Sequence, residues 1–311
     1  MRKLKVWASK VLAGVMAVAC FVGTTPLYSR AAADETAVTI SATDSGVQYV
    51  ALGDSITIGD SSYVSKVSSY LKSSYGACTT KNLAVDGWQS GDLLDALTNS
   101  KNAKYYTMRS AIKNADIITI DIGSNDIMQT AMEVISDCFA CDESQLGDVT
   151  ASWSEKLSNA TGLQLYWIYL QAMVIARNIN YQLNYGTKMQ TAMTKFDANF
   201  KEIMTQIKKL APNAKIYIGN IYNPYVGSPS LYVGNYEVIN VEKFAKTYVV
   251  KANTTIKKYA TGCVIVDLYN TINNAKYIKG DLANYIFDPH PNATGQTAIA
   301  NKFIASIKAN K

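Results

Sequence analysis

The sequence predicts an α/β fold in which a parallel sheet is covered by helices on both faces. Short β-branched segments recur along the chain, and each is separated from the next by one or more helix-like segments. Strands that alternate with helices are joined by crossover connections, which build parallel sheets. Ligands bind such sheets at the carboxyl ends of the strands. We therefore expect a functional site where the predicted strands end.

Five short segments have the apolar, β-branched character of buried strands. The first is an apolar run that ends at Gly53, and the third is a β-branched run that ends at Gly123. Runs of this length between turn residues are typical of strands rather than helices. The predicted strands are Val47 to Leu52, Thr80 to Ala84, Asp116 to Ile122, Ala214 to Ile221 and Gly262 to Leu268.

Helix-like segments fill the spaces between these strands. About 90 residues separate Gly123 from Ala214, several times what one crossover needs, so we predict a helical insertion over about residues 127–212. Its aromatic run, Leu163 to Ala176, forms either a lid over a substrate groove or a face packed on the core. The predicted helices are Tyr63 to Tyr75, Gly91 to Leu97, Met108 to Ala115, Asn125 to Ser136, Tyr181 to Leu210 and Ala293 to Ala309.

The composition excludes several classes of protein. Of the 311 residues, 48% are hydrophobic and 17% are charged, which excludes a disordered chain and a polytopic membrane protein. The formal charge is +6, but five Lys and Arg residues and no acids lie in the first 33 residues, so the remainder carries only +1. Nucleic-acid binding needs a concentrated positive surface. We therefore expect no nucleic-acid partner.

The first 33 residues have the three-part layout of a secretory signal peptide. Basic residues are followed by an apolar run, Val11 to Val22, and by small residues that end at Ala33. This run is shorter than the roughly 20 residues of a membrane span. We predict cleavage after Ala33 and a secreted protein with no stable membrane anchor; retention as an anchor and lipid attachment at Cys20 are the alternatives. Residues 34–46 are then a polar linker, and residues 47–311 form one domain.

Four cysteines follow the predicted signal peptide: Cys78, Cys138, Cys141 and Cys263. After export they allow up to two disulfides, in three possible pairings. The Cys138-x-x-Cys141 spacing also occurs in zinc and redox sites, but zinc needs two further ligands, and this pair follows a helix-like stretch rather than a first strand. We expect a local disulfide or free structural thiols, and no metal.

The chain contains a single histidine, His290, in the segment Asp288-Pro289-His290-Pro291-Asn292. Prolines on both sides restrict the backbone, and a carboxylate two residues earlier is placed to orient the ring. Ser55 follows the first predicted strand, in Gly53-Asp54-Ser55. A serine hydroxyl needs a nearby imidazole to become a good nucleophile. Ser55 and His290 are therefore the predicted nucleophile and general base.

Two further polar features follow other predicted strands. Gly87 can turn a backbone N–H toward the site, and Asn125, in Gly123-Ser124-Asn125-Asp126, can supply a side-chain amide. An acyl-transfer intermediate needs such donors around its oxyanion. An ordinary turn at Gly87 and a helix N-cap at Asn125 are the structural alternatives. Four features in this order, each at the end of a strand, indicate an acyl-transfer site.

Together, these four blocks resemble those of the SGNH (GDSL-type) hydrolases, which are named for Ser, Gly, Asn and His. The resemblance covers the chain from Val47 to the C-terminal helix, apart from the central insertion. It implies a three-layer α/β/α sandwich of flavodoxin-like type and an enzyme without a cofactor. It also implies Ser55 as nucleophile, His290 as base, and the Gly87 amide, the Asn125 side chain and the Ser55 amide as oxyanion hole.

The acid that orients the histidine departs from the family pattern. The family places it three residues before the histidine, where this chain has Phe287, whereas Asp288 lies two residues before. We assign Asp288 as the acid; a Ser-His dyad oriented by a backbone carbonyl is the alternative. Asp54 and Asp126, inside the other motifs, are expected to brace loops.

The sequence as a whole predicts a secreted serine esterase that hydrolyses carboxylic esters of a lipid or an acylated carbohydrate through an acyl-enzyme. A non-catalytic carbohydrate- or surface-binding protein on the same scaffold is the alternative, since 21 tyrosines supply aromatic platforms. The chain has no Gly-x-Ser-x-Gly elbow, which excludes an α/β-hydrolase. With one histidine it also lacks the motifs of zinc proteases.

Overall fold

A five-stranded parallel sheet lies at the centre of the protein, described here from a computed structural model. The strands are β1 (Val47–Gly53), β2 (Cys78–Asn82), β3 (Ile117–Asp121), β4 (Lys215–Gly219), β5 (Leu231–Val233), β6 (Tyr236–Ile239) and β7 (Val264–Val266). The order of the strands in the sheet is β2-β1-β3-β4-β7, and a short antiparallel hairpin, β5–β6, lies outside it. The prediction of an α/β fold with a central parallel sheet is confirmed.

The structure describes residues 46–59, 61–228, 230–233, 236–280 and 288–310. The predicted signal peptide, the predicted linker before Gly46, and Phe287 lie outside these residues. The helices are α1 (Tyr63–Tyr75), α2 (Ser90–Thr98), α3 (Tyr105–Lys113), α4 (Ser124–Phe139), α5 (Leu146–Asn159), α6 (Gly162–Tyr185), α7 (Thr187–Leu210), α8 (Val241–Tyr259) and α9 (Ala293–Ala309).

Helices cover both faces of the sheet because successive strand residues point to opposite sides. In β1, Tyr49 and Ala51 belong to the apolar layer shared with α1 and α9. Val50 and Leu52 belong to the larger layer formed with helices α2 to α8. All four residues are buried. This two-sided burial explains why the β1 sequence is a continuous apolar run rather than an alternating one.

The helical insertion is built from α4, α5, α6 and α7, which lie between β3 and β4. The prediction of one helix from Tyr181 to Leu210 is wrong, because the chain breaks at Gly186, where ψ is 152°. A side chain on Gly186 would collide with the carbonyl oxygen of Gln182. Glycine therefore permits the sharp change of direction between α6 and α7. Among the described helices, none is both long enough and apolar enough to cross a membrane.

The second strand begins and ends two residues earlier than predicted, at Cys78 and Asn82. It is an edge strand, paired with β1 alone, and its residues are half-buried or exposed. Threonine and lysine are therefore accommodated in it, and the apolar pattern that marks a buried strand is weak. The apolar residues Leu83 and Ala84 follow the strand instead.

Candidate active site

Ser55 lies in a tight turn directly after β1. The Thr57 amide donates to the Asp54 carbonyl oxygen at 3.0 Å, and the Ile56 amide donates to Asp54 Oδ1 at 3.1 Å. The turn also requires glycine at position 53, because a side chain there would collide with Thr57 Oγ1 and come within 2.5 Å of the Asp121 carbonyl oxygen. The local sequence thus places the Ser55 hydroxyl at the carboxyl edge of the sheet.

His290 lies in a loop that is held by backbone hydrogen bonds on both of its sides. The Lys279 amide donates to the His290 carbonyl oxygen at 2.8 Å, and the Gly280 amide donates to that of Asp288 at 3.1 Å. The buried Tyr222 hydroxyl donates to the Pro289 carbonyl oxygen at 3.0 Å. Because each residue from 288 to 290 is anchored through its carbonyl group, the imidazole projects from a defined backbone.

The helix that follows His290 ties this loop to the Ser55 turn. Gln296, in α9, donates from Nε2 to the Ile56 carbonyl oxygen at 2.9 Å and accepts from the Tyr63 amide at 2.8 Å. Gln296 is buried, so these bonds form away from competing water. One side chain therefore joins segments that are 240 residues apart.

The structure brings Ser55, His290 and Asp288 together in a chain of hydrogen bonds. Ser55 Oγ lies 2.9 Å from His290 Nε2, and His290 Nδ1 lies 2.7 Å from Asp288 Oδ1. The same carboxylate oxygen accepts the His290 backbone amide at 2.9 Å. Because an ionised carboxylate only accepts hydrogen bonds, Nδ1 carries the ring proton and Nε2 is left to accept from the serine hydroxyl.

Asp288 is held in its ionised form by this contact. Its partial burial acts to raise the pKa, but the hydrogen bonds from His290 outweigh burial and hold the pKa of Asp288 below its ordinary value. Asp86, immediately before Gly87, behaves differently. Burial raises the pKa of Asp86, and the positive charge that His290 can carry offsets this only in part. Asp288 is thus the carboxylate that binds the imidazole directly.

Two of the three predicted oxyanion donors, at Gly87 and Asn125, lie in segments that are held by hydrogen bonds. Gly87 has φ of +70°, a conformation that glycine adopts without strain. Its carbonyl oxygen accepts from Gln129 Nε2 at 2.6 Å, which fixes the orientation of the following peptide. Asn125 Nδ2 donates to the Trp88 carbonyl oxygen at 3.1 Å. One hydrogen of the Asn125 amide is therefore committed to orienting the side chain, and the amide carries a second.

Sequence reasoning missed Gln129 as a supporting residue. Gln129 lies one helical turn after Asn125, and its Oε1 also accepts from Gln89 Nε2 at 2.9 Å. It links the Gly87 turn to α4 across 42 residues of chain. The signal in the sequence was the spacing Asn125-x-x-x-Gln129, which puts both side chains on one face of a helix.

The buried aspartates of the motifs connect loops, as expected. Asp54 Oδ2 accepts from the Ser124 hydroxyl at 2.9 Å and so joins the Ser55 turn to the start of α4. Asp126 accepts from both the amide and the hydroxyl of Ser90, the amide at 2.8 Å. Burial raises the pKa of each of these two carboxyls to about 6. Both side chains hold the strand-end loops in register.

Asp121, the last residue of β3, is buried, and its Oδ2 has no hydrogen-bond partner among the described residues. Burial is the main cause that raises the pKa of Asp121 well above its ordinary value, and the negative charge of Asp54 adds to this effect. Burial therefore favours the protonated form of Asp121 more strongly than in an exposed aspartate.

The four cysteines are free thiols in the structure. Cys138 and Cys141 flank the end of α4, while Cys78 and Cys263 adjoin opposite edges of the sheet. Burial raises the pKa of Cys138 to about 11, so this thiol is a poor nucleophile. Within the described part of the chain, no cluster of three His, Cys, Asp or Glu side chains is arranged to hold a metal ion.

The fold and this polar cluster define the class of protein as a hydrolase built on an α/β/α sandwich. The sequence profile of the GDSL-like lipase/acylhydrolase family matches residues 51–298. The match covers most of the chain, so the chain belongs to this family and is an ester hydrolase of the GDSL type. The enzyme prediction is thereby confirmed at the level of that class, and the non-catalytic alternative is not supported.

Individual relatives are distant. YpmR, an uncharacterized protein of Bacillus subtilis (strain 168), is 24% identical over 269 residues, which are 84% of this chain and 82% of the relative. The lipase Lip_vut3 from a goat rumen metagenome is 17% identical, with 84% of this chain and 97% of that chain covered and a TM-score of 0.51. An extracellular lipase from Streptomyces rimosus is 17% identical, with 86% of this chain and 100% of that chain covered and a TM-score of 0.48. The similarity to Lip_vut3 shows a shared fold.

Proposed function

We propose that this protein is an exported serine esterase in which Ser55 is the nucleophile, His290 the general base and Asp288 the acid that orients it. One observation carries the proposal: the continuous path from Asp288 Oδ1 to His290 and on to Ser55 Oγ, with contacts of 2.7 Å and 2.9 Å. These distances lie in the range that direct proton transfer needs. The Asp288 contact favours a complete triad over a Ser-His dyad.

The reaction proceeds in two halves. Ser55 Oγ attacks the ester carbonyl carbon as its proton passes to His290 Nε2, and the resulting imidazolium is stabilised by the Asp288 carboxylate. The carbon–oxygen bond to the alcohol then breaks, and His290 returns the proton to the departing alcohol. Water attacks the acyl-enzyme with His290 again as base, which releases the acid and restores the serine hydroxyl.

The negative oxygen of each tetrahedral intermediate is assigned to three donors: the amides of Ser55 and Gly87 and the side chain of Asn125. Supporting this role, the Asn125 amide is oriented before substrate binds by its hydrogen bond to the Trp88 carbonyl oxygen, and Gln129 holds the carbonyl group of Gly87. Donors that are already oriented need no reorganisation when charge develops, which is why they lower the barrier.

Labelling with a fluorophosphonate tests the nucleophile. An activated serine forms an oxygen–phosphorus bond with the reagent and displaces fluoride, while the serine proton is taken up by the base. We expect one label per chain in the wild type and none in Ser55→Ala or His290→Ala. Ser69→Ala, on the exposed surface of α1, is the matched control and should label normally. Undiminished labelling of Ser55→Ala would rule out Ser55 as the nucleophile.

The substrate we propose is a carboxylic ester of a lipid or of an acylated carbohydrate. Met128 lies next to Gln129 and packs on the apolar layer, with the Tyr225 hydroxyl 3.7 Å from its sulfur. The Met128 side chain therefore adds apolar surface to the helical turn that begins at Asn125. Rates measured with nitrophenyl esters from acetate to palmitate separate the two classes, because a preference for long chains indicates lipid and a preference for acetate indicates carbohydrate.

Export is proposed from the layout of residues 1–33. Secretion with cleavage after Ala33 gives a mature chain that begins at Asp34. The intact mass and N-terminal peptide of protein recovered from outside the cells test this directly. Full-length protein found only in the cell would contradict it.

A further inference from the structure

Helix α6 has two apolar faces, and among the described residues only one of these faces packs against the rest of the chain. The inner face is buried in the larger apolar layer through residues such as Leu165, Ala176 and Leu183. The outer face is exposed, although most of its side chains are large and apolar. Its exposed fractions are 78% for Leu163, 47% for Tyr166, 63% for Trp167, 68% for Val174, 59% for Tyr181 and 72% for Tyr185.

The outer face has the spacing of a coiled-coil seam. The positions at its centre are 163, 167, 170, 174, 177 and 181, which alternate steps of four and three residues. This average period of 3.5 residues is the period at which helices pack against one another over several turns. The residues at these positions are Leu163, Trp167, Leu170, Val174, Arg177 and Tyr181.

Charge is almost absent from this helix. Among the 24 residues of α6, Arg177 is the one charged side chain, and it lies on the seam. The positions that flank the seam include Gln164, Gln171 and Asn178. Uncharged flanks create no repulsion between like charges when two copies of the helix meet. The single cation is the only seam residue that needs a specific partner.

We propose that the outer face of α6 is a homodimer interface, in which two copies of the helix pack antiparallel about a two-fold axis level with Ala172. In this register Leu170 meets Val174 of the partner subunit, and Leu163 meets Tyr181 of the partner subunit. Trp167 meets Arg177 of the partner subunit, so the guanidinium stacks on an indole ring as a cation–π pair. Each contact occurs twice, as a two-fold interface requires.

The exposed area is sufficient for such an interface. Large aromatic side chains bury roughly 150–250 Å² each, and the six exposed apolar residues of this face together offer on the order of 700 Å² per copy. A standard stable interface buries about 800 Å² per partner. Flanking residues such as Gln171 supply the remainder.

A lipid surface is the competing occupant and fits less well. Helices that lie on membranes carry a polar face rich in lysine and arginine opposite the apolar face. In α6 the opposite face is buried in the protein core, and the helix has one cation. After the proposed cleavage at Ala33, the segment before Gly46 is also unsuited to cover this face, because residues 34–45 contain only two large apolar side chains, Val38 and Ile40.

Sedimentation velocity of the mature chain at micromolar concentrations tests the proposal. We expect a dimer for the wild type and a monomer for Val174→Glu, because the substitution places two carboxylates in the apolar seam. The matched control is Val250→Glu, since Val250 is an exposed valine (46%) on α8 and its substitution should leave the dimer intact. Trp167→Ala, which adds no charge to the helix, should also weaken the dimer, and it replaces Val174→Glu as the test if circular dichroism shows that Val174→Glu does not fold.

Three results would overturn the proposal. The first is a wild type that stays monomeric throughout the concentration range. The second is a dimer that neither Val174→Glu nor Trp167→Ala affects, which would place the interface elsewhere. The third is a monomer that binds phosphatidylglycerol vesicles and loses that binding with Val174→Glu, which would assign the face to lipid. None of these outcomes depends on esterase activity, so the proposed dimer can be rejected without rejecting the proposed function, and the proposed function without the dimer.

Discussion

Replacing Asp288 by asparagine removes the negative charge beside the imidazole while keeping the size of the side chain. In the structure one carboxylate oxygen accepts both the ring Nδ1–H of His290, at 2.7 Å, and its backbone amide, at 2.9 Å. Asparagine can accept with its single carbonyl oxygen, but it has no charge to stabilise the imidazolium that forms as Ser55 attacks. We therefore expect this substitution to raise the free energy of the transition state more than it weakens substrate binding.

The contact geometry sets the size of the effect. A 2.7 Å hydrogen bond puts the charge centres about 4 Å apart, which corresponds to about 4 kcal/mol at an effective dielectric constant of about 20. The two side chains are 20% and 30% exposed, so solvent screening reduces this to roughly 2–3 kcal/mol. We expect kcat for Asp288→Asn to fall by about 30- to 150-fold.

Steady-state hydrolysis of a short-chain nitrophenyl ester measures this effect, with KM expected to change little. Asp86→Asn is the comparison variant, because it removes a carboxylate that interacts with His290 only through its charge. It should lower kcat by less than Asp288→Asn. A loss of under about tenfold for Asp288→Asn would refute the reasoning and favour a Ser-His dyad. Equal losses in the two variants would mean that net charge, not the hydrogen bond, sets the rate.

Two further predictions concern the oxyanion site and the buried carboxyls. Asn125→Ala should lower kcat by about 10²- to 10³-fold with a small change in KM. The control is Asn114→Ala, which should leave kcat unchanged because Asn114 is an exposed asparagine at the end of α3. Equal values of kcat for the two variants would exclude Asn125 as an oxyanion donor. Because burial raises the pKa of Asp126 from 3.8 to about 6, the folded state binds this proton more tightly than the unfolded chain. Its contribution to stability is full below about pH 3.8 and is lost as the pH rises through about 6, a change of roughly 3 kcal/mol. Urea unfolding from pH 4 to 7 should show this decline, smaller in Asp126→Asn; the same decline in that variant would contradict the assignment.

Local sequence patterns were sufficient for most of the scaffold. The runs at β1 and β3 are recognisable because both faces of these strands are buried, which demands an apolar or β-branched residue at nearly every position. Ser55, Gly87, Asn125 and His290 were proposed as site residues because each follows a short segment with its own turn or cap signal. Such signals depend on neighbours a few residues away, and a sequence displays them directly.

Supporting contacts were not predictable in the same way. Gln129 and Gln296 are ordinary helical residues in the sequence, and they gain a role only because Gly87 and Ile56 lie opposite them after folding. The break at Gly186 was also missed, since an isolated glycine in a helical pattern is often tolerated. Its conformation depends on contact with the preceding turn at Gln182.

By itself, the sequence determined the order of the five sheet strands and most of the helices, and it supplied the four residues around which the proposed site is built, because periodicity, caps and turns are properties of short segments. Only the tertiary structure decided that Ser55 and His290, 235 residues apart, lie 2.9 Å from each other and that Asp288 reaches the ring from two residues away. Those distances depend on how the sheet aligns the ends of its strands and on how Gln296 and the Tyr222 hydroxyl anchor the last loop. No segment taken alone contains that information.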